Sequence, residues 1–205
     1  MPAADDVAQW ISQLADSDPA KRRAAATRLH SAGTALCLSA TREWLKDIEF
    51  RGLVRPALPD AAVDSIAEGV RCTVGIAVQP ETFQRIRALR GSPRLADVPP
   101  DQDAMEFELR PDDREDFDIL TTREPGGAGA IARYLQKFGE GIQQIEIAVA
   151  SVDRATEILR ERFGLSPVYP ATRPGADGTR VNFFLAPAAE GKKVLIELVE
   201  LPQKK

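Results

Sequence analysis

The chain is expected to fold as an α+β protein in which a strand–helix–strands unit occurs twice, behind a small helical N-terminal segment. Three observations predict this. Residues 143–200 read as one folding unit: a strand run Gln143-Gln144-Ile145-Glu146-Ile147-Ala148-Val149, a helix over 151–163 stopped by Gly164, then strands over 181–185 and 194–199. The same order occurs upstream, with a strand at Thr73-Val74-Gly75-Ile76-Ala77-Val78, a helix over 80–90 stopped by Gly91, and strands over 105–109 and 117–121. The first 46 residues instead carry helical spacing, with Val7, Trp10, Ile11 and Leu14 on one face. A repeated unit constrains the architecture more than any single element does.

The N-terminal segment, residues 1–47, holds the helix signals. Asp18-Pro19 is a helix start, with Asp as N-cap and Pro in the first turn. Gly33 predicts the end of that helix. A third helix is expected to carry Ala35, Leu38 and Leu45 on one face, with Trp44 beside them. The stretch from Leu14 to Leu29 resembles a HEAT-like repeat, with room for about one and a half units, too few to stack alone. Residues 48–71 read as a connector: 50–54 as a short strand, then a break at Arg55-Pro56-Ala57-Leu58-Pro59-Asp60.

The repeated region is residues 72–205. Its first unit spans 72–122, with Phe83, Ile86 and Leu89 on one helix side and a Pro/Asp-rich loop over 91–103 that has room for a weak strand at 94–98. A linker helix over 128–138 places Ile131, Leu135 and Phe138 at i, i+4 and i+7. The second unit, 143–200, carries Val152, Ala155, Leu159 and Phe163 on its helix, one strand near Val168, and then a Pro/Gly/Asp loop.

Bulk properties narrow the function classes. A length of 205 residues allows one large domain or two small ones. The net charge of −4 argues against nucleic-acid binding, and the run Lys21-Arg22-Arg23 reads as a solvated helix face. No apolar run is long enough to span a bilayer, and the first residues lack signal-peptide character, so a cytoplasmic protein without membrane contact is expected. Cys37 and Cys72 lack metal or redox spacing and read as buried, reduced thiols. His30 is the one histidine, and it lies outside the repeated region.

Three pieces of sequence resemble the vicinal oxygen chelate superfamily, also called the glyoxalase fold, and within it the methylmalonyl-CoA epimerases. They are Val74-Gly-Ile-Ala-Val78 before a helix, Ile131-Ala-Arg-Tyr-Leu-Gln-Lys-Phe-Gly-Glu-Gly-Ile142, and the closing strand Val194-Leu-Ile-Glu-Leu-Val-Glu200. The resemblance implies two βαβββ units forming an open barrel, whose cup holds a divalent metal that polarises a substrate carbonyl while carboxylates move an adjacent proton. Position by position it carries the family's four ligands onto Thr73, Thr121, Gln144 and Glu197. Only the glutamate is unchanged, and two threonines are poor ligands for a divalent ion.

Alternation on residues 143–149 puts Gln144 and Glu146 on one face and a fully apolar set on the other. Glu197 on an otherwise apolar strand is costly to bury unless it is paired. Glu197 and Glu146 are therefore the candidate catalytic groups. Thr73, Thr121, Gln144 and Arg180 are candidate ligand-binding groups, and Gln144 with Glu197 would remain of a metal site. The Arg173/Arg180 loop could hold an anionic group.

Three functions stay open. One is a degenerate family member without a cofactor, binding a small molecule in the cup or a protein. A second is an active epimerase or lyase using Mn, Co, Ni or Mg at Gln144, Glu146 and Glu197. A third is an interaction module acting through the N-terminal helices. A homodimer is compatible with each.

Overall fold

Regular structure follows the predicted order through most of the chain. The computed structural model describes residues 3–54, 71–112, 115–188 and 193–202. Its helices are α1 (Ala4–Leu14), α2 (Pro19–Thr41), α3 (Ile48–Leu53), α4 (Pro80–Leu89), α5 (Ala130–Phe138) and α6 (Val152–Phe163). Its strands are β1 (Cys72–Ala77), β2 (Ala104–Asp112), β3 (Glu115–Thr122), β4 (Gly141–Ala148), β5 (Arg173–Pro174), β6 (Arg180–Pro187) and β7 (Lys193–Glu200). None of the described helices is long and apolar enough to cross a membrane. The chain divides into two units: Met1–Thr34 with Thr73–Gln143, and Ala35–Cys72 with Gln144–Lys205.

In the first unit, β3 pairs in parallel with β1 and antiparallel with β2. Register puts Val74 and Ile76 on one face with Phe117 and Ile119, and Phe107 joins them from β2. All five are fully or almost fully buried. Helix α4 supplies Phe83 to this layer, its ring 5.0 Å from that of Phe107. Helix α2 adds the His30 ring, edge-on to Phe117. Period-two alternation on the strands and 3.6-residue spacing on the helices thus converge on one apolar layer.

The second unit repeats the plan. β4 pairs in parallel with β7, β7 antiparallel with β6, and β6 with the two-residue β5. Ile145, Ile147, Phe184, Ile196 and Leu198 form its buried layer with Val152, Ala155, Ile158 and Leu159 of α6. Trp44 lies edge-on to Phe50 and Phe184. Ser151 caps α6 through Arg154 N, and Gly164 ends it in the left-handed conformation. Asp47 caps α3, accepting from Glu49 N and Phe50 N. Arg162 then bridges Asp47 and Glu49, while Arg154 binds Glu49 at 2.6 Å, tying α3 to α6.

Several expectations are corrected. Residues 50–54 are not a strand, because the Asp47 cap starts α3 there; only Val54 makes a bridge, to Val149. The Pro-rich break over 55–60 lies outside the described residues. Residues 94–98 form no strand, and their link to the sheet is Ala96 N to Glu106 O at 3.0 Å. The strand near Val168 is reduced to a bridge between Pro167 and Phe184, and the paired segment lies instead at β5. Ala35 is exposed and Leu38 half-buried; Leu36, Cys37 and Ala40 form the buried face.

Gly33 does not stop a helix, since α2 runs through it to Thr41. Its lack of a side chain serves packing. A Cβ there would lie 2.8 Å from Val74 Cγ1 and closer still to Cγ2. Val74 is fully buried and, being β-branched, cannot easily rotate away. Gly33→Ala should therefore destabilise by about 1–3 kcal/mol, although alanine favours a helix by about 1 kcal/mol. Urea denaturation checks this, and Val74→Ala in the same chain should remove the clash penalty.

The second unit also brings Cys37 and Cys72 together, distant as they are in sequence. Hydrogen bonding to the Cys72 thiol, and then burial, push the Cys37 thiol well above its ordinary pKa. The folded-state pKa exceeds the unfolded one, so this contribution is complete below about pH 8.5 and declines as pH rises and only the unfolded chain ionises. The urea midpoint should fall between pH 8 and 10, and Cys37→Ala should flatten that fall. Tyr134, pushed up to about 12 by burial, adds a loss of the same sign only at higher pH.

Candidate functional site

The face of β4 and β7 turned away from α6 carries the polar candidates. Parallel pairing sets Gln144 beside Leu195 and Glu146 beside Glu197. Antiparallel pairing then sets Phe183 of β6 beside Glu197, and Leu185 beside Leu195. Gln144 Nε2 donates a short hydrogen bond diagonally to Glu197 Oε2. Both residues are buried, at 9% and 8% exposure, whereas Glu146 is half-buried. The alternation that places Gln144 and Glu146 together is thus realised, and Glu197 joins them across the strand pair.

Around this pair the face is amphipathic. The Phe183 ring packs edge-on against Tyr169 at 6.0 Å, and the Arg173 guanidinium lies over the Tyr169 ring at 4.5 Å. Leu185 is 50% exposed. Tyr169 and Phe183 were not singled out from the sequence. The signal available was the alternation Val181-Asn-Phe-Phe-Leu185, whose double Phe conceals which ring belongs to which face.

Arg180 lies elsewhere. Its register partner Glu200 and its own position place it on the α6 side of the sheet, opposite to Glu197. There its guanidinium binds Asp153 Oδ2 at 2.6 Å and Glu200 Oε2 at 3.3 Å. Thr172 also donates to Asp153, and these two hydrogen bonds hold the Asp153 carboxyl below its ordinary pKa. Arg180 and Arg173, paired in the sequence reading, are therefore on different faces.

The first unit separates the two threonines in the same way. Thr73 alternates with Val74 and shares its face with Gly75, whose partner is Asp118. Thr121 falls on the opposite face, with Ile119, and is fully buried. Its hydroxyl donates to the Val78 carbonyl at 2.8 Å, closing the end of the β1–β3 pair. Glu106, Glu108 and Asp118 share the Thr73 face. They too were not singled out, although Met105-Glu-Phe-Glu-Leu and Asp116-Phe-Asp-Ile both alternate acid with apolar.

The donor chemistry bears on the metal that the family resemblance implies. A glutamine ligates through its carbonyl oxygen, but here the amide N–H of Gln144 faces the carboxylate of Glu197. Among the described residues, no three His, Cys, Asp or Glu side chains gather as ion ligands. Of the four positions carried over from the resemblance, Gln144 and Glu197 are the two joined by a hydrogen bond.

The pair has a measurable energetic signature. Removing the amide donor in Gln144→Leu leaves the buried carboxylate short of one partner and should cost about 1–3 kcal/mol. Glu197→Gln keeps a hydrogen-bonding group of nearly equal volume and should cost less than about 1 kcal/mol. Equilibrium denaturation of both variants at neutral pH checks this asymmetry.

No family model and no curated protein matches the chain. Among solved structures, methylmalonyl-CoA epimerase from Mycobacterium tuberculosis is 31% identical with a TM-score of 0.52, over 64% of this chain and 87% of that one. A variant of the Streptomyces coelicolor methylmalonyl-CoA epimerase, in complex with 2-nitronate-propionyl-CoA, is 25% identical with a TM-score of 0.51, over 65% of this chain and 99% of that one. A hypothetical protein from Bacillus halodurans, 24% identical with a TM-score of 0.52, shares the fold over 65% of this chain and 97% of that one. With its repeated strand–helix–strand units and these neighbours, the chain has the glyoxalase-type fold and belongs to the vicinal oxygen chelate superfamily.

Proposed function

We propose that this protein binds a small acyl ligand of the acyl-CoA class on the Gln144–Glu197 face, without metal-dependent turnover. The carrying observation is the hydrogen bond from the Gln144 amide to the Glu197 carboxylate. It fills the position where the resemblance expects two metal ligands with an amide–carboxylate hydrogen bond. Gln144 is the residue that the ligand's polar group would meet, and Glu197 holds its amide in orientation. Phe183, Leu185 and Leu195 offer apolar surface beside it. Arg173, stacked on Tyr169, supplies a cation on the same side. The acyl-CoA class is suggested by the solved structures, of which one is described as a complex with 2-nitronate-propionyl-CoA.

A Lewis-acid site needs several anionic or lone-pair donors aimed at one point. Here the Gln144 amide N–H is aimed at the Glu197 carboxylate, and Glu146 stands in register with Glu197. A binding pocket tolerates this arrangement, because a satisfied amide–carboxylate pair still presents a lone pair and an N–H to a ligand.

The test is a thermal-shift and calorimetric titration of chelator-treated protein with methylmalonyl-CoA and propionyl-CoA, alongside α-proton exchange in deuterated water. A saturable rise in Tm that chelator leaves unchanged, without exchange above background, is expected. Phe183→Ala should weaken binding by about tenfold, the effect of losing one buried aromatic contact. Exchange that Mn²⁺ or Co²⁺ restores and that Glu197→Ala abolishes would instead establish an active epimerase. No binding by either acyl-CoA would remove the ligand reading.

A further inference from the structure

Two thiols of the second unit meet although they stand far apart in the chain. Cys37 lies on α2 and Cys72 opens β1, and both are almost fully buried, at 1% and 3% exposure. Both are reduced thiols. A hydrogen bond joins them, and it raises the Cys37 pKa more than burial does. Periodicity explains why they meet. Cys37 follows Gly33 by one helical turn and shares its face of α2. Cys72 precedes Val74 by two residues and shares its face of β1. Gly33 lets the helix lie directly on Val74. That close approach of helix to strand continues along both elements to the two sulfurs.

The chemistry open to a touching pair differs from that of a single thiol. A single thiol oxidised to a sulfenic acid has no neighbour to condense with and proceeds to sulfinic and sulfonic acids, which are not readily reversed. A second thiol in contact captures the sulfenic acid at the first stage. Burial sets the size of the oxidant. A tripeptide disulfide is too large to reach sulfurs with so little exposed surface, whereas hydrogen peroxide is close to water in size. The rest of the environment is fixed: Thr41, one turn beyond Cys37, donates its hydroxyl to the Cys37 carbonyl at 2.8 Å and is itself fully buried.

We propose that Cys37 and Cys72 are a modification site at which a small hydroperoxide forms a reversible disulfide within the folded chain. One thiolate attacks hydrogen peroxide: an S–O bond forms, the O–O bond breaks, and the departing hydroxide takes up the thiol proton as water. The second thiol then attacks the sulfenic sulfur: the S–S bond forms, the S–O bond breaks, and a second water leaves. Two thiols are oxidised by two electrons, and one peroxide is reduced to two waters. The bridge ties residues 38–71 into a covalent loop. That loop carries Trp44 and Phe50, which pack edge-on with each other and, through Trp44, with Phe184. Closing it removes conformations from the unfolded chain, so the oxidised protein is the more stable form. Because the thiolate is the nucleophile and Cys37 is held protonated, the first step is slow, and the pair acts as a lock on the fold. The site lies within the second unit and does not rest on the ligand proposed for the Gln144–Glu197 face.

The test treats the folded, fully reduced protein with hydrogen peroxide in the absence of denaturant, then reads non-reducing peptide maps, the thiols left after denaturation, and the melting curve. The expected result is a peptide pair linked through Cys37 and Cys72 in a monomer, loss of both thiols, and a Tm higher by about 5 °C or more. Dithiothreitol should reverse all three. Cys37→Ala and Cys72→Ala each leave one thiol; peroxide should then give no Tm rise, and dimedone should trap the sulfenic acid. The linked peptide is read on the natural chain and does not depend on either variant folding. The proposal is overturned if both thiols survive peroxide while the protein is folded, if they end as separate sulfinic or sulfonic acids, or if the link joins two chains. A bridge that forms and lowers the Tm overturns its role as a lock.

Discussion

One-sided burial of the strands is the constraint on which the rest of this structure depends. Each unit packs its helices against a single face of its strands. That face must then be apolar at every second residue, as it is at Val74, Ile76, Phe117 and Ile119 in one unit and at Ile145, Ile147, Ile196 and Leu198 in the other. The alternate residues are released from the core and can be polar. Gln144, Glu146 and Glu197 occupy such released positions, as do Thr73, Glu106 and Asp118. The chemistry of the molecule is thus written on the positions that packing leaves unused.

Within that frame, a carboxylate on a mostly apolar strand needs a partner. Glu197 finds one in Gln144, two positions along a neighbouring parallel strand. The pairing gives a costly buried group a hydrogen-bond donor and orients the Gln144 amide. A stability requirement and a functional consequence share one hydrogen bond. Arg180 illustrates the complementary case: drawn to Asp153 and Glu200 on the helix side, its charge is spent on anchoring α6 to the sheet.

Helix packing imposes a tighter limit than helix propensity. Gly33 reads as a terminator because glycine is the common C-terminal residue of helices, yet the helix continues and the missing side chain is what lets α2 lie on Val74. The same close approach brings the N-terminal half of α2 into the first unit, so that Arg22 and Arg23 share a neighbourhood with Arg90.

The sequence by itself determined the repeated strand–helix–strands order, the sites of α4, α5 and α6, and the in/out pattern of β4. These are local properties: periodicity, an N-cap at Asp18 or Ser151, and a left-handed glycine at Gly164 act within a few residues. It also placed Gln144, Glu146 and Glu197 on usable faces, because alternation alone assigns a face once one side is apolar. Only the tertiary structure decided register between strands, and register is what separated Thr73 from Thr121 and Arg173 from Arg180. A shift of one residue exchanges the two faces, and counting along one strand cannot detect it. The meeting of Cys37 with Cys72, and of Arg22 and Arg23 with Arg90, was beyond sequence reading for the same reason: each joins elements whose distance in the chain carries no information about their distance in space.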